Sequence, residues 1–491
     1  MSNHHPVNQT NERGHLVWGG CDVTQLARQF GTPAYVMDES IIVDRLRQYQ
    51  LAAARSYPDL RIAYAGKAFL CGAMAKLVAE HNLWLDVVSG GELYVALAAG
   101  FPAAQVVFHG NSKSLDEIAF GLEAGVGRIV VDNLGELRQL AKLAAATKKT
   151  PEILLRITPG ISPHTHRSIQ TGQVDSKFGF PLADGIALQA IREALSLDHV
   201  ALRGLHSHIG SQIGTATPFA AAARALAGLA WSAWRETGYL AEEINLGGGW
   251  AAGKLPANAP PPIEHYVASL TGAFRRAWRR QGQPGVPLGR KESARTAADR
   301  ATDGPSPKTT NARRYAWPTL YVEPGRSIVA DAGITLYTVG TVKPVPGHDP
   351  YVLVDGGMTD NPRPGLYGAA YRALVANRAD APATGSYNVA GKACESGDIL
   401  IRGIPLADPR PGDLIAVLAT GAYNHSMASN YNRFGRPPVV FAHDGDARLV
   451  VRRETFEDLI ATDLETVCSP TSQPKLMEAP RQEVAAARQD G

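Results

Sequence analysis

Residues 61–89 read RIAYAGKAFLCGAMAKLVAEHNLWLDVVS, and this stretch decides the fold. Two short β-type runs, 61–67 and 84–89, bracket a segment in which Met74, Leu77, Val78 and His81 recur at i, i+3, i+4 and i+7. That spacing places the four on one face of a helix, so the stretch reads as a strand–helix–strand unit. The alternation continues along the chain. Further strand-like runs lie at 105–109, 128–132, 152–157, 202–208, 243–246 and 319–323, and Leu137, Leu140, Ala141 and Ala144 mark another helical face. Eight alternating units imply an α/β protein with a parallel sheet closed into a TIM-type (β/α)8 barrel.

Such a barrel carries its chemistry at the C-terminal ends of its strands. Those positions are polar here: Lys67, Ser89, His109, Asp132, Arg156, His206 with His208, Asn245 ahead of a triple glycine, and Glu323. Beyond 325 the helical alternation stops. Strand-like runs at 334–342, 351–355, 398–401, 414–418, 438–442 and 448–452, separated by turn dipeptides such as Pro-Gly and Asp-Gly, indicate a C-terminal β-rich domain. The expected organisation is a barrel over 34–325, a β domain from 1–33 plus 326–460, and a tail at 461–491. Residues 281–314 are rich in Gly, Pro, Ser, Thr and charge. Such a segment buries too little apolar surface to offset its ordering entropy, so it reads as a disordered insertion on the barrel face away from the chemistry. A basic interaction segment is the alternative.

The bulk properties exclude several classes. Lys and Arg total 49 against 46 Asp and Glu, and this near-balance leaves no nucleic-acid footprint. The four cysteines show neither CxxC nor metal-ligand spacing, which points to free thiols in a reducing, cytoplasmic compartment and to no metal. The polar N-terminus has no apolar core of a secretory signal, and no run of 18 apolar residues suggests a membrane span.

The motifs narrow the chemistry. A lysine aimed into a barrel mouth is costly unless it is paired, deprotonated or covalently used. Spacing alone leaves Lys67 open as a rim lysine; an imine with an aldehyde cofactor would give it a role. Gly247, Gly248 and Gly249 let backbone N–H groups approach a phosphate, and Ser211 of HIGSQ completes a plausible cup, although a lone GGG also suits a tight turn. Glu323 opens EPGR, where a carboxylate beside a pyridine nitrogen would keep it protonated, and Arg326 is placed to clamp a carboxylate; a surface Glu–Arg pair is the plainer alternative. His206 is suited to stacking on a flat ring or to a satisfied core position. RPGLY brings Arg363 and Tyr367, CESGD brings Cys394 and Glu395, and GAYNHSMASNYN brings Tyr423. A thiol near a carbanion is a competent proton donor, and a merely buried cysteine is the alternative.

Taken in order, AYAGKAF, DVVSGGEL, HTHRSIQTG with DSKFGF, GLHSHIGSQ, GGG, EPGR, RPGLY, CESGDIL and GAYNHSMASNYNRF resemble the diaminopimelate decarboxylase family, within the alanine-racemase-like barrels of pyridoxal-phosphate enzymes (fold type III). The match runs from residue 61 to 434. The resemblance implies that Lys67 carries pyridoxal 5'-phosphate and His206 stacks on its ring. It implies that Ser211, Gly248, Gly249, Gly325, Arg326 and Tyr423 belong to the cofactor site and that Glu323 faces the pyridine nitrogen. Arg326, Arg363, Tyr367, Glu395 and Tyr423 would bind substrate, and Cys394 would donate the proton. It further implies a homodimer in which the CESGD segment serves the partner's site, and conversion of meso-diaminopimelate to L-lysine and CO2. His425 stands where an aromatic residue is expected. Competing readings are a same-fold decarboxylase of ornithine, arginine or carboxynorspermidine, disfavoured by DSKFGF and CESGD, and a racemase, which would show an arginine in place of Glu323. A catalytically silent regulatory homologue is disfavoured by the joint presence of Lys67, His206, Glu323 and Cys394.

Overall fold

The computed structural model describes residues 9–161, 172, 176–252, 260–280 and 317–465. The 281–314 segment, most of HTHRSIQTG and most of the 461–491 tail lie outside the described residues.

Eight parallel strands form the barrel: Leu60–Ala65, Trp84–Val87, Val106–Phe108, Arg128–Val131, Glu152–Thr158, Ala201–His206, Glu243–Asn245 and Thr319–Val322. Each pairs with the next, the eighth returns to the first, and the sixth pairs with the fifth, so the ring is closed. Closure buries both faces of every strand, which explains their near-continuous apolar character. Ala63, Val107, Val130 and Leu154 meet inside the ring, while the outward side chains pack beneath the helices. On Leu134–Ala146 the expected face of Leu137, Leu140, Ala141 and Ala144 is buried. On Gly72–Glu80, Met74, Leu77 and Val78 are buried, and His81 is the C-cap, its Nδ1 2.9 Å from the Leu77 carbonyl. The eighth strand is followed only by the short helix Arg326–Val329. Helix Glu39–Ser56, from ahead of the first strand, packs against both this turn and Ile263–Arg280 and takes the remaining outer place.

The N-terminal mouth is closed by charge. Arg128 makes a bidentate pair with Glu243 at 2.7 and 2.5 Å, and Arg61 donates to the Tyr321 hydroxyl at 2.7 Å. This end is plugged, and the opposite end is left for chemistry.

The second sheet centres on Gly333–Val345, which pairs with His348–Val354, Leu414–Leu418 and Ala34–Asp38. Ala34–Asp38, placed with the barrel by the sequence reading, is therefore a β-domain strand, and it also runs parallel to Val439–His443. Two further strands of this sheet were not anticipated. Ala373–Val375 pairs with Leu414–Leu418, and Gly385–Ala390 lies parallel to His348–Val354. The latter reads GSYNVA, whose Gly, Ser and Asn signal a turn; tertiary pairing overrides that local preference. Residues ahead of Ala34 join this layer: Leu16, Trp18, Cys21, Val23 and Leu26 share a core with Val36, Ile334, Leu336 and Leu414.

Candidate active site

At the C-terminal end of the barrel a cavity of about 380 Å³ opens. Lys67, His206, Ser211, Glu323, Arg326, Arg363, Tyr367 and Tyr423 all line it, joined by Val88, His109, Gly110, Asn111, Arg156, Phe178, His208 and Met427. Barrel strands supply the floor, and the β domain supplies Arg363, Tyr367, Tyr423 and Met427. The two parts are laced beside the lysine: Tyr423 N–H donates to the Ala68 carbonyl at 2.8 Å, and Ser426 Oγ to the same oxygen at 3.2 Å. Tyr423 holds φ +60, an uncommon conformation for an aromatic residue, which the surrounding contacts over-determine.

Lys67 lies two residues past its strand, on the 3-10 turn Gly66–Ala68, rather than on the strand itself. Gly325 makes room for this turn, since a Cβ there would come within 2.9 and 3.0 Å of the Ala65 and Ala68 methyls. The Lys67 ammonium pairs with Asp86 Oδ2 at 3.2 Å. Burial acts to lower the lysine pKa, but attraction to Asp86, Tyr423 and Glu323 outweighs it and holds the group protonated.

Glu323 is the hub of the floor. Its Oε1 accepts from Asn245 Nδ2 at 2.6 Å and lies 2.8 Å from His109 Nε2; its Oε2 lies 3.2 Å from His206 Nε2. Burial opposes its ionisation, yet the two histidines hold it well below the usual carboxylate range. Burial pushes His206 down to about 4, so a neutral ring donating Nε2–H to the Glu323 anion is the arrangement at neutral pH. The His109 and His206 rings meet edge to face at 4.8 Å. His109, His206 and Glu323 place their donor atoms within 4.8 Å of one another, a spacing that would also suit a metal ion. Their mutual hydrogen bonds account for the cluster without one.

The glycine loop is shaped by close approach. A Cβ on Gly248 would lie 1.8 Å from the Glu323 carbonyl, and Gly249, at φ +113, would place one 2.0 Å from the Gly210 carbonyl. Arg326 donates to Ser211 Oγ from Nε and a terminal nitrogen at 3.3 and 3.1 Å. Its guanidinium sits 4.5 Å over the Tyr423 ring, and Arg363 sits 5.0 and 5.5 Å over Tyr367 and Tyr423. Burial lowers Arg326 to about 10, which leaves it a cation.

Cys394 and Glu395 do not join this cavity; both are exposed on the loop after Gly385–Ala390. Ser89, expected among the polar strand ends, instead caps helix Gly90–Ala98 by accepting the Glu92 N–H. Asp86 was not singled out from the sequence, although a lone aspartate inside WLDVV was the available signal. Lys113 was also missed. Its buried ammonium donates to the Gly110 and Val130 carbonyls at 3.0 and 2.8 Å and pairs with Glu136 at 2.6 Å, bracing the turn behind His109.

A flat, phosphorylated aldehyde fits these residues. The glycine loop leaves backbone where side chains would fill the space, four cations line the cavity from Lys67, Arg156, Arg326 and Arg363, and the buried Nδ1 of His206 has no hydrogen-bond partner.

The chain is similar to known proteins. Residues 43–289 match the pyridoxal binding domain of the pyridoxal-dependent decarboxylases. The diaminopimelate decarboxylase of Halalkalibacterium halodurans is 44% identical over 464 residues, covering 94% of this chain and 98% of that protein. The enzyme of the same name from Bacillus subtilis is 44% identical over 463 residues, covering 94% and 98%. The crystal structure of diaminopimelate decarboxylase from M. jannaschii in co-complex with L-lysine superposes with a TM-score of 0.80 at 32% identity, covering 94% of this chain and 99% of that one.

Proposed function

This chain belongs to the diaminopimelate decarboxylase family of pyridoxal-dependent decarboxylases, and from that premise we propose how its residues convert meso-diaminopimelate to L-lysine and CO2. It is a carboxy-lyase that uses pyridoxal phosphate. The observation that carries the assignment of roles is the convergence of Lys67, His206, Ser211, Glu323, Arg326, Arg363, Tyr367 and Tyr423 on one cavity.

When bound, pyridoxal phosphate supplies an electron sink for the pair left by the departing CO2. Lys67 supplies the amine for the covalent link, and Asp86 at 3.2 Å holds its proton until that nitrogen is needed. Ser211, Gly248, Gly249, Gly325, Arg326 and Tyr423 form the phosphate end of the site. Glu323 keeps a negative charge at the other end, where it would retain a proton on the ring nitrogen, and His206, with its neutral ring beside that carboxylate, would pack against the cofactor. Arg326, Arg363, Tyr367 and Tyr423 orient the substrate. The distal group of diaminopimelate carries a carboxylate, and paired guanidinium groups suit it.

Cys394 and Glu395 act on the partner's cavity in a homodimer. Both are exposed in the single chain, on a loop that does not line its own cavity. Glu395 then offers an acidic partner for the substrate's distal ammonium, and Cys394 returns a proton to the α-carbon. The protein works in the cytoplasm as a biosynthetic enzyme, and no helix among the described residues is long and apolar enough to cross a membrane. Incubation with meso- and LL-diaminopimelate, ornithine and arginine, scored for CO2 and for the amine product, tests the reading. Turnover of the meso isomer to lysine is expected, and faster turnover of ornithine or arginine would sink it.

A further inference from the structure

Cys394 stands on an irregular loop, yet the backbone of that loop is gripped from two sides. The amide oxygen of Asn432 accepts the Cys394 N–H at 2.8 Å. Asn432 lies beyond Tyr423 and Met427, the cavity-lining part of the same motif, and holds φ +53, a conformation asparagine adopts more readily than most residues. On the other flank Asp398 is 3% exposed. Its Oδ2 accepts the Ala393 N–H at 2.8 Å, its Oδ1 accepts the Met358 N–H at 2.7 Å, and its carbonyl accepts the Gly391 N–H at 3.0 Å. Gly357 and Gly391 press against the carboxylate so closely that a Cβ on either would meet its oxygens at 2.6 Å or less. Each carboxylate oxygen thus has a backbone donor, and a buried carboxylate held this way is a fixed post.

We propose that Asn432 and Asp398 are positioning residues for the Cys394 thiol, joining the N–H of the preceding Ala393 and its own N–H to fixed parts of the β domain. The inference rests on the reading that Cys394 serves the partner's site. A proton donor has to stand about 3 Å from the carbon it protonates, and a loop that drifts by about 1 Å forfeits up to roughly a hundredfold in rate. Asp398 ties the loop to the Met358 turn, and Asn432 sets the peptide plane from which the cysteine side chain departs. Neither residue touches the substrate.

Hybrid dimers test this. Lys67→Ala and Cys394→Ala protein, mixed and re-associated, give hybrids with one good site that joins Lys67 of one chain to Cys394 of the other. Asn432→Gly is added to one parent at a time, because glycine accepts φ +53 and lacks the amide. Placed on the Lys67→Ala chain, which donates Cys394, it should lower hybrid kcat about tenfold without changing KM. Placed on the Cys394→Ala chain, which supplies the cavity, it should leave the hybrid rate within about twofold, the scale of a change remote from the working site. Asn432→Asp on the donating chain keeps an acceptor and should recover the rate. Equal loss in both placements, or loss only on the cavity chain, overturns the inference, as does failure of Asn432→Asp to recover activity in a dimer whose assembly and cofactor absorbance are normal. An inactive parental hybrid, with mixed dimers verified by mass, would overturn the shared-site reading itself and the inference with it. Asp398→Asn, which turns an amide N–H₂ toward a backbone donor, should show the same chain dependence.

Discussion

His109 Nε2 lies 2.8 Å from Glu323 Oε1, joining the end of the third barrel strand to the end of the eighth across 214 residues of sequence. With His206 and Asn245 on its remaining positions, Glu323 is a buried anion held by three side-chain donors. Replacement by glutamine removes the charge and turns an N–H₂ group toward those donors. Glu323→Gln should lower kcat by about 10²–10³, the range for removing one preorganised electrostatic group. The covalent link at Lys67 should survive, so borohydride trapping should remain while turnover falls. Undiminished kcat would show that the charge at the floor is not used.

Lys67 reaches the cavity from a turn whose position is fixed by Gly325 and by Tyr423. The holoprotein should be yellow and bleach with borohydride. Peptide mapping after reduction should find the adduct at Lys67, and Lys67→Ala should lose it. An adduct retained at another lysine of the variant would reassign the anchor.

The glycine loop leaves no space for a methyl group. A Cβ at position 248 would meet the Glu323 carbonyl at 1.8 Å, a backbone atom unable to swing aside. Gly248→Ala should therefore cost about 1–3 kcal/mol of stability, as overpacking does. It should also weaken pyridoxal phosphate binding, because loop and Glu323 shift together. Absorbance titration of the apoprotein and a urea curve measure both effects, and wild-type cofactor affinity in the folded variant would remove Gly248 from the phosphate site.

His425 fills the place expected for an aromatic residue, edge-on to Tyr35 at 5.7 Å and Phe69 at 5.5 Å. Burial, aided by Arg436, pushes its pKa down to about 4, below the ordinary imidazole value of about 6.5. Between these two values the unfolded chain binds a proton that the folded chain refuses. Stability is therefore full above about pH 6.5 and is lost as pH falls toward 4, by about 3 kcal/mol over the window at about 1.4 kcal/mol per pH unit. His206 contributes with the same sign. His425→Phe, of similar volume, should flatten the acid limb of a stability profile, with a gain that grows as pH falls from about 6.5 toward 4. Urea midpoints at pH 5 and 7 with fixed cofactor would decide it; an unchanged slope would mean that His425 is not a buried neutral imidazole.

Local pattern carried much of this protein. Apolar runs bounded by turn signals located all eight barrel strands, and 3.6-residue spacing located helices such as Leu134–Ala146, because period reports which side of an element is buried. Once the barrel was legible, so were its polar strand ends, and Lys67, His206 and Glu323 could be named as neighbours before any coordinates. What tertiary structure alone decided were meetings between residues with no local signature of each other. Asp86 pairs with Lys67, Lys113 braces the turn behind His109, Asn432 holds the Cys394 peptide, and Ala34–Asp38 leaves the barrel region to pair in the second sheet. Ser89 makes the point in reverse: its strand-end position suggested chemistry, while the open N–H of the next helix claimed its hydroxyl. The physical reason is common to them all. Periodicity is a property of a few consecutive residues, whereas a buried carboxylate, ammonium or peptide N–H takes whichever partner ring closure and sheet pairing bring within about 3 Å.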